Sequence, residues 1–264
     1  MKIAICGKGG SGKSVVTALL ARALLQKGYQ VLVLDSDESN SSLYFMLGLK
    51  APPNALMELV GGKKSVQNAL RTAMSSESEQ GAPSILQQEA LSPEEIPDDY
   101  IERENGLSFA VIGKIQQSLE GCACPMGVLT REFLGKLQLA EDQVALVDME
   151  AGIEHFGRGL ETSLDSGLIV VEPSWESLLL AARMKEMCQQ SGIKSFGAIL
   201  NKYPNQEVAQ KLTSRLKDEG IQVLGSIPYD EEIFQAGFSG EQIRSAQAVE
   251  SMGKAADSLF YKSA

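Results

Sequence analysis

The chain has 264 residues, a formal charge of −10, 44% hydrophobic residues and a mean hydropathy of −0.06. That length allows one sizeable α/β domain, so a single domain over residues 1–264 is expected, and the composition is that of an ordinary globular protein. The acidity speaks against nucleic acid or an anionic membrane as main partner, since both demand basic surface, and no apolar run reaches the roughly 18 residues of a membrane span.

The charge is uneven. Between Thr72 and Asn105 nine Asp or Glu stand against one Arg, a net of −8, which leaves only −2 for the rest of the chain. The first residues, Met1 to Cys6, run directly into a strand without signal-peptide architecture, so a cytoplasmic protein is expected.

In chain order, short apolar runs rich in β-branched residues predict strands at Lys2–Cys6, Gln30–Asp35, Leu107–Ile112, Gln143–Asp148, Gly167–Val171, Phe196–Asn201 and Gln222–Ile227. Amphipathic stretches predict helices over Gly12–Lys27, Ser174–Ser191 and Gln206–Glu219, with Gly28 and Gly192 where helix C-caps fall. Near-continuous apolar strands separated by helices predict a mostly parallel sheet with helices on both faces. The exception is Ala51–Asn105, with Pro52-Pro53, a Ser/Glu tract from Ser75 to Glu79 and acid-rich Pro93–Asp99. It reads as a polar, acidic insertion within the domain, too polar to build core and partly mobile.

Gly7-Lys8-Gly9-Gly10-Ser11-Gly12-Lys13-Ser14 follows the first strand and opens a helix, the setting that a P-loop requires. Its glycines let backbone amides wrap phosphates at the positive end of the helix that continues through Val15. Lys13 is expected to reach the β- and γ-phosphates, and the Ser14 hydroxyl to hold Mg²⁺. Asp35-Ser36-Asp37 ends the second predicted strand, and Val144–Asp148 is an apolar strand ending in a carboxylate, as a Walker B segment does. Asn201-Lys202 ends a later strand, and Pro204 stands where GTPases carry a guanine-pairing aspartate three residues after the Asn, which favours ATP.

Gly121-Cys122-Ala123-Cys124-Pro125 reads as a turn with accessible thiols. Two thiolates cannot complete a tetrahedral soft-metal site, but Cys122 and Cys124 from each chain of a two-fold dimer would supply four. Cys6 and Cys188 read as core and helix-face residues, the lone His155 as structural, and Trp175, Met184 and Met187 as helix packing. The C-terminal stretch Gly240–Tyr261 lacks the lysine-rich face of a membrane-targeting helix.

With its second lysine, Lys8, the glycine loop resembles the deviant Walker A ATPases, the family of nitrogenase iron protein and the Min and Par partition ATPases. The resemblance implies that Lys8 reaches across a dimer interface to the partner's nucleotide, much as an arginine finger does. It implies that Asp37 positions the attacking water near Mg²⁺, that Asp148 binds Mg²⁺ through water, and that the Gly152 amide senses the γ-phosphate. It also assigns Asn201, Lys202 and Pro228 to the adenine pocket. Asp148-Met149-Glu150-Ala151-Gly152-Ile153-Glu154-His155, then Gly157-Arg158-Gly159, with the C-x-C pair, looks like the CooC-type maturation ATPases of carbon monoxide dehydrogenase. That resemblance covers most of the chain apart from Ala51–Asn105. It implies an ATP-dependent homodimer that binds Ni²⁺, or Zn²⁺ in its place, for the apo form of a nickel–iron–sulfur enzyme such as carbon monoxide dehydrogenase. An iron–sulfur reductase like nitrogenase iron protein and a partition-type switch remain as alternatives.

Overall fold

The computed structural model describes residues 1–37, 42–75, 84–114, 124–152, 163–193 and 195–260, with residues 73–75 and 124 described by their backbone alone. Among the described residues eight strands form one sheet in the order β3-β4-β2-β5-β1-β6-β7-β8. In chain order they are β1 (Lys2–Gly7), β2 (Gln30–Asp35), β3 (Glu102–Glu104), β4 (Leu107–Val111), β5 (Gln143–Asp148), β6 (Ser166–Val171), β7 (Ser195–Tyr203) and β8 (Gln222–Pro228). All pair in parallel except β3, which lies antiparallel on the edge against β4. The chain is therefore an α/β protein with a doubly wound sheet, and all seven strands read from the apolar runs are present.

Alternation along each strand sends successive side chains to opposite faces, and both faces are covered. On one face Ile3, Ile5, Val33, Leu146, Leu168 and Val170 pack with Leu19, Leu20 and Leu24 of α1 (Lys13–Gln26). That layer also takes in α2 (Leu43–Leu47), through Leu43 and Leu47, and Met252, Ala256 and Leu259 of α9 (Ala246–Phe260). Helix α9 is thus a core element, packed on the sheet through one apolar face. On the other face Ala4, Cys6, Leu34, Val147 and Ile169 meet Leu129 and Phe133 of α5 (Cys124–Lys136) and Met184 and Cys188 of α6 (Trp175–Gln190), and Leu212 and Leu216 of α7 (Gln206–Asp218) complete that layer.

The polar reading of residues 51–105 needs correction. The segment holds α3 (Leu56–Leu59), α4 (Gly62–Ser75), two 3₁₀ turns at Pro93–Glu95 and Asp98–Tyr100, and β3. Leu56, Met57, Val66, Leu86, Leu91, Ile96 and Ile101 are buried in the same layer as α5. Isolated apolar anchors spaced among charges do not show as a periodic face, so mean polarity concealed them. The charges themselves tie the segment down. Glu132 of α5 accepts the amides of Ile85 and Leu86 at 2.8–2.9 Å, and Arg103 donates to the carbonyls of Pro93 and Ile96, each at 2.8 Å. Asn105 (φ 49°) and Gly106 (φ 85°) make the two-residue turn between β3 and β4, the Asn-Gly signal of a hairpin.

Replacing Leu56 or Ile101 by Ala is expected to cost about 2–4 kcal/mol in urea unfolding, with Glu104→Ala on the exposed edge near zero. A wild-type midpoint for both core variants would show that the segment does not share the domain's core.

Candidate functional site

The carboxyl ends of β1, β2, β5, β6 and β7 converge on the start of α1, and the sequence-predicted residues follow that rim. The first turn of α1 begins at Gly12, whose φ of 94° requires glycine, and no side chain caps it. By contrast Ser174, Asn205 and Asp230 cap the helices they precede. The leading amides of α1 are thus left to the loop, where an anion is favoured by both donors and dipole. Lys13 is buried at 6% exposure, and the buried Ser11 hydroxyl has no hydrogen-bond partner. A buried hydroxyl without a partner is costly, and a phosphate oxygen is the acceptor this loop is shaped to offer it. The loop glycines are also held closely: a Cβ on Gly7 would stand 2.8 Å from Val170 O, and one on Gly12 2.3 Å from Asn201 Nδ2.

Below the loop lies a set of buried acids. The Ser14 hydroxyl donates to Asp148 Oδ2 at 2.6 Å, while the Thr17 hydroxyl donates to Asp148 Oδ1 at 3.5 Å. Burial raises the Asp148 carboxyl to a pKa of about 7, with the Asp35 charge adding to it and the Ser14 hydrogen bond and Lys13 opposing it. Asp35 is raised to about 6, again by burial, against the pull of the Lys114 ammonium at 2.7 Å. Strand register puts Asp35 directly opposite Asp148. Asp37 is buried two residues on, its amide donating to Asp35 Oδ1 at 3.1 Å. Among the described residues no three metal-ligating side chains gather closely enough to hold a metal alone. A hydroxyl and water-relayed carboxylates that share Mg²⁺ with phosphate oxygens fit that donor set.

The remaining predicted residues divide into two groups. Val15, Asn201, Lys202 and Pro228 line one cavity of about 280 Å³ with Tyr229, Phe234 and Phe238, the last two from α8 (Glu231–Ser239). The Asn201 amide donates to Ser11 O and the Lys202 ammonium to Gly10 O, each at 2.8 Å, so the cavity is fastened to the glycine loop. Asp230, which borders it, is engaged by the amides of Glu232 and Ile233 and by the Ser245 hydroxyl at 2.6 Å. The apolar walls and the engaged aspartate suit adenine. Phe234 and Phe238 were missed, although an i, i+4 aromatic pair after a capping Asp is a legible helix signal.

On the opposite rim Gly152 has φ 100° and its amide stands 3.5 Å from Gly7 O, while Gly9 faces Ala151. Lys8 pairs within the chain with Glu172 at 3.1 Å and Glu176 at 2.8 Å; hydrogen bonds to Glu176 and Glu172 hold its ammonium above the ordinary lysine range. Cys122 and His155 lie outside the described residues, and Cys124 is the first residue of α5. Trp175, read as helix packing, is instead 62% exposed in the first turn of α6, with the Arg215 guanidinium 5.3 Å from its ring. Two residues important to this geometry, Glu172 and Lys114, belong to no motif and were visible only once strands had brought them to the rim.

A doubly wound sheet with a strand–glycine loop–helix unit and acids at two neighbouring strand ends defines a P-loop nucleotide hydrolase. The chain belongs to the CobQ/CobB/MinD/ParA nucleotide binding domain family, which it matches over residues 2–243, and it is an ATPase of that family. It is 41% identical over 243 residues to an uncharacterized ATP-binding protein of Methanocaldococcus jannaschii, covering 92% of this chain and 94% of that one. It is 34% identical over 240 residues to the carbon monoxide dehydrogenase accessory protein CooC of Rhodospirillum rubrum, covering 91% and 88%. Its fold is similar to that of the Mg-ADP complex of the septum site-determining protein MinD from Pyrococcus horikoshii, with TM-score 0.68 at 19% identity over 98% and 95% of the chains. No helix among the described residues is long and apolar enough to cross a membrane.

The buried acids make the nucleotide-free protein pH-sensitive. Asp148 titrates near 7 when folded and near 3.9 when unfolded, so the folded chain holds the extra proton and stability falls as pH rises between those values. Asp148→Asn, without nucleotide or Mg²⁺, should therefore raise the thermal midpoint at pH 8 by about 2–4 °C per kcal/mol recovered and change little at pH 4. An equal loss of stability at both pH values would show that the buried charge is not the cost.

Proposed function

We propose that this chain is a cytoplasmic, ATP-dependent, dimerising metallochaperone that carries Ni²⁺, or Zn²⁺ in its place, for maturation of a nickel–iron–sulfur enzyme of the carbon monoxide dehydrogenase class. The observation that carries the reading is the 34% identity to the carbon monoxide dehydrogenase accessory protein over 91% of the chain, joined to a C-x-C pair. Similarity to MinD proteins is weaker in sequence, 25% and 22% identity over 90% of the chain for two of them and 19% for the solved one, and the iron–sulfur reductase reading requires cluster cysteines far apart in sequence, not a C-x-C pair.

In this reading Gly7, Gly9, Gly10, Ser11 and Gly12 cradle the phosphates, Lys13 neutralises the β- and γ-phosphates, and Gly152 reports the γ-phosphate. Asn201, Lys202, Pro228 and Val15 hold adenine. Ser14, Asp37 and Asp148 would hold Mg²⁺, which when bound would supply charge neutralisation to the transferring phosphoryl group. Asp37 orients the attacking water. Cys122 and Cys124 of two chains supply four thiolates to one cargo ion, a soft donor set that both Ni²⁺ and Zn²⁺ accept.

Lys8 supplies the switch. Its ammonium rests on Glu172 and Glu176 of its own chain, and reaching a partner's nucleotide means leaving both. These pairs are partly exposed, so water screens them and exchange is cheap. Neutralising both acids, in Glu172→Gln/Glu176→Gln, is expected to raise the ATP-dependent dimerisation constant about two- to fivefold, while Lys8→Ala abolishes ATPase activity without loss of the fold. Analytical ultracentrifugation with a non-hydrolysable ATP analogue reads the first. Weaker dimers in the double variant would assign the two acids to the interface instead.

Native mass spectrometry of reduced protein given Ni²⁺, with and without the analogue, tests the cargo. One metal per two chains, lost on Cys122→Ser or Cys124→Ser, is the expected result. A nucleotide-bound dimer that takes up no metal would overturn the chaperone reading and leave the ATPase standing.

A further inference from the structure

Lys114 lies three residues beyond the end of β4 and belongs to none of the nucleotide motifs. Its ammonium stands 2.7 Å from Asp35 Oδ2 and donates a second, short hydrogen bond to the main-chain carbonyl of Asp37. Asp35 in turn accepts the Asp37 amide through Oδ1 at 3.1 Å. One ion pair therefore holds both main-chain polar groups of Asp37: the carboxylate takes the N–H and the ammonium gives to the carbonyl.

The pair is anchored on three strands. The Asp35 carbonyl accepts the Ile112 amide at 2.9 Å, and Asp35 pairs in register with Val111 of β4 and Asp148 of β5. Between the two acids, Ser36 donates its amide at 3.0 Å and its hydroxyl at 2.9 Å to the Asp148 carbonyl. The Asp35 side chain is 3% exposed and that of Lys114 19%, so the attraction is little screened and the geometry is narrow. With the main chain fixed on both sides, the direction of the Asp37 Cα–Cβ bond is set. A carboxylate that must orient a water needs that accuracy, since misplacement by an ångström is enough to lose most of the rate.

We infer that Lys114 is a positioning residue for ATP hydrolysis, clamping the Asp35–Asp37 turn so that the Asp37 carboxylate is aimed at the attacking water. The inference rests on the reading of Asp37 given above. Lys114 does not line the adenine cavity, so its role belongs to kcat and not to nucleotide affinity.

Steady-state ATPase measurements on Lys114→Met, Asp37→Ala and their combination, each with a thermal midpoint, test it. Lys114→Met is expected to lower kcat on the order of 10- to 100-fold and leave KM for Mg-ATP within about twofold. In the Asp37→Ala background the same substitution should change kcat by less than about twofold, the limit within which independent effects add. Because Lys114→Met alone leaves Asp35 buried without its cation, Asp35→Asn/Lys114→Met is the folding control; it should melt close to wild type and keep the low kcat. The inference is overturned if Lys114→Met retains wild-type kcat while Asp37→Ala is inactive. Equal losses in both backgrounds, a rise in KM alone, or recovery of kcat in the folding control overturn it as well. If Asp37→Ala keeps wild-type kcat, the Asp37 reading fails first and takes the inference with it.

Discussion

The hydrogen bond between the Ser14 hydroxyl and Asp148, 2.6 Å long, is the constraint around which the site is organised. Asp148 ends a central strand and is fully buried, so its charge is paid nothing by solvent and must be met from inside the protein. Ser14 and Thr17 meet it with hydroxyls and Lys13 with a nearby positive charge. Asp35 opposes it from the next strand, and its charge adds to burial in raising the Asp148 carboxyl. Buried acids gathered beside a phosphate loop favour cationic charge, and Mg²⁺ held together with nucleotide phosphates suits such a donor set.

Sheet topology makes the demand unavoidable. In a parallel sheet all strand ends of one kind lie on one rim, and strand order places β2 and β5 side by side with β1 next in line. Two strands that each end in aspartate, adjacent and in register, bring two carboxyls beside the glycine loop whatever the intervening segments contain. The residues between β2 and β5 can therefore vary in length and polarity without disturbing the acids. What residues 51–105 add is a closed edge: β3 pairs with β4, and apolar anchors such as Leu91 and Ile101 seal the layer beside α5. Edge closure by a short charged strand protects a sheet from pairing with another chain.

Much of this was legible in the sequence because it rests on local rules. The seven apolar strands, the glycine loop and the two acidic strand ends each declare themselves within a few residues. The cavity beside the glycine loop was partly legible, since Asn201 and Pro228 lie at the ends of strands that the topology brings together. Trp175 was misread because hydrophobic character in a helix suggests packing, whereas its place in the first turn leaves it at the rim against Arg215. Buried anchors in 51–105 escaped because single apolar residues among charges have no period. Lys114 and Glu172 escaped for a different reason: a lone charge after a strand gains meaning only from its neighbours across the sheet.

The two lysine–carboxylate systems at the rim differ in a way that suits different tasks. Lys114 and Asp35 are shielded from water, with side chains 19% and 3% exposed, and separating them would strand a charge inside the protein. Such a pair holds one geometry through a catalytic cycle. Lys8 meets Glu172 and Glu176 where its side chain is 35% exposed and Glu176 is 74% exposed. Water can replace either partner there, so the contact holds the lysine without committing it. The chain thus combines a shielded lysine–carboxylate pair on one side of the phosphate loop with a solvent-exposed one on the other. Under the proposed function, in which hydrolytic residues stay aligned while contacts are exchanged with a second copy, both kinds are needed, and burial separates them.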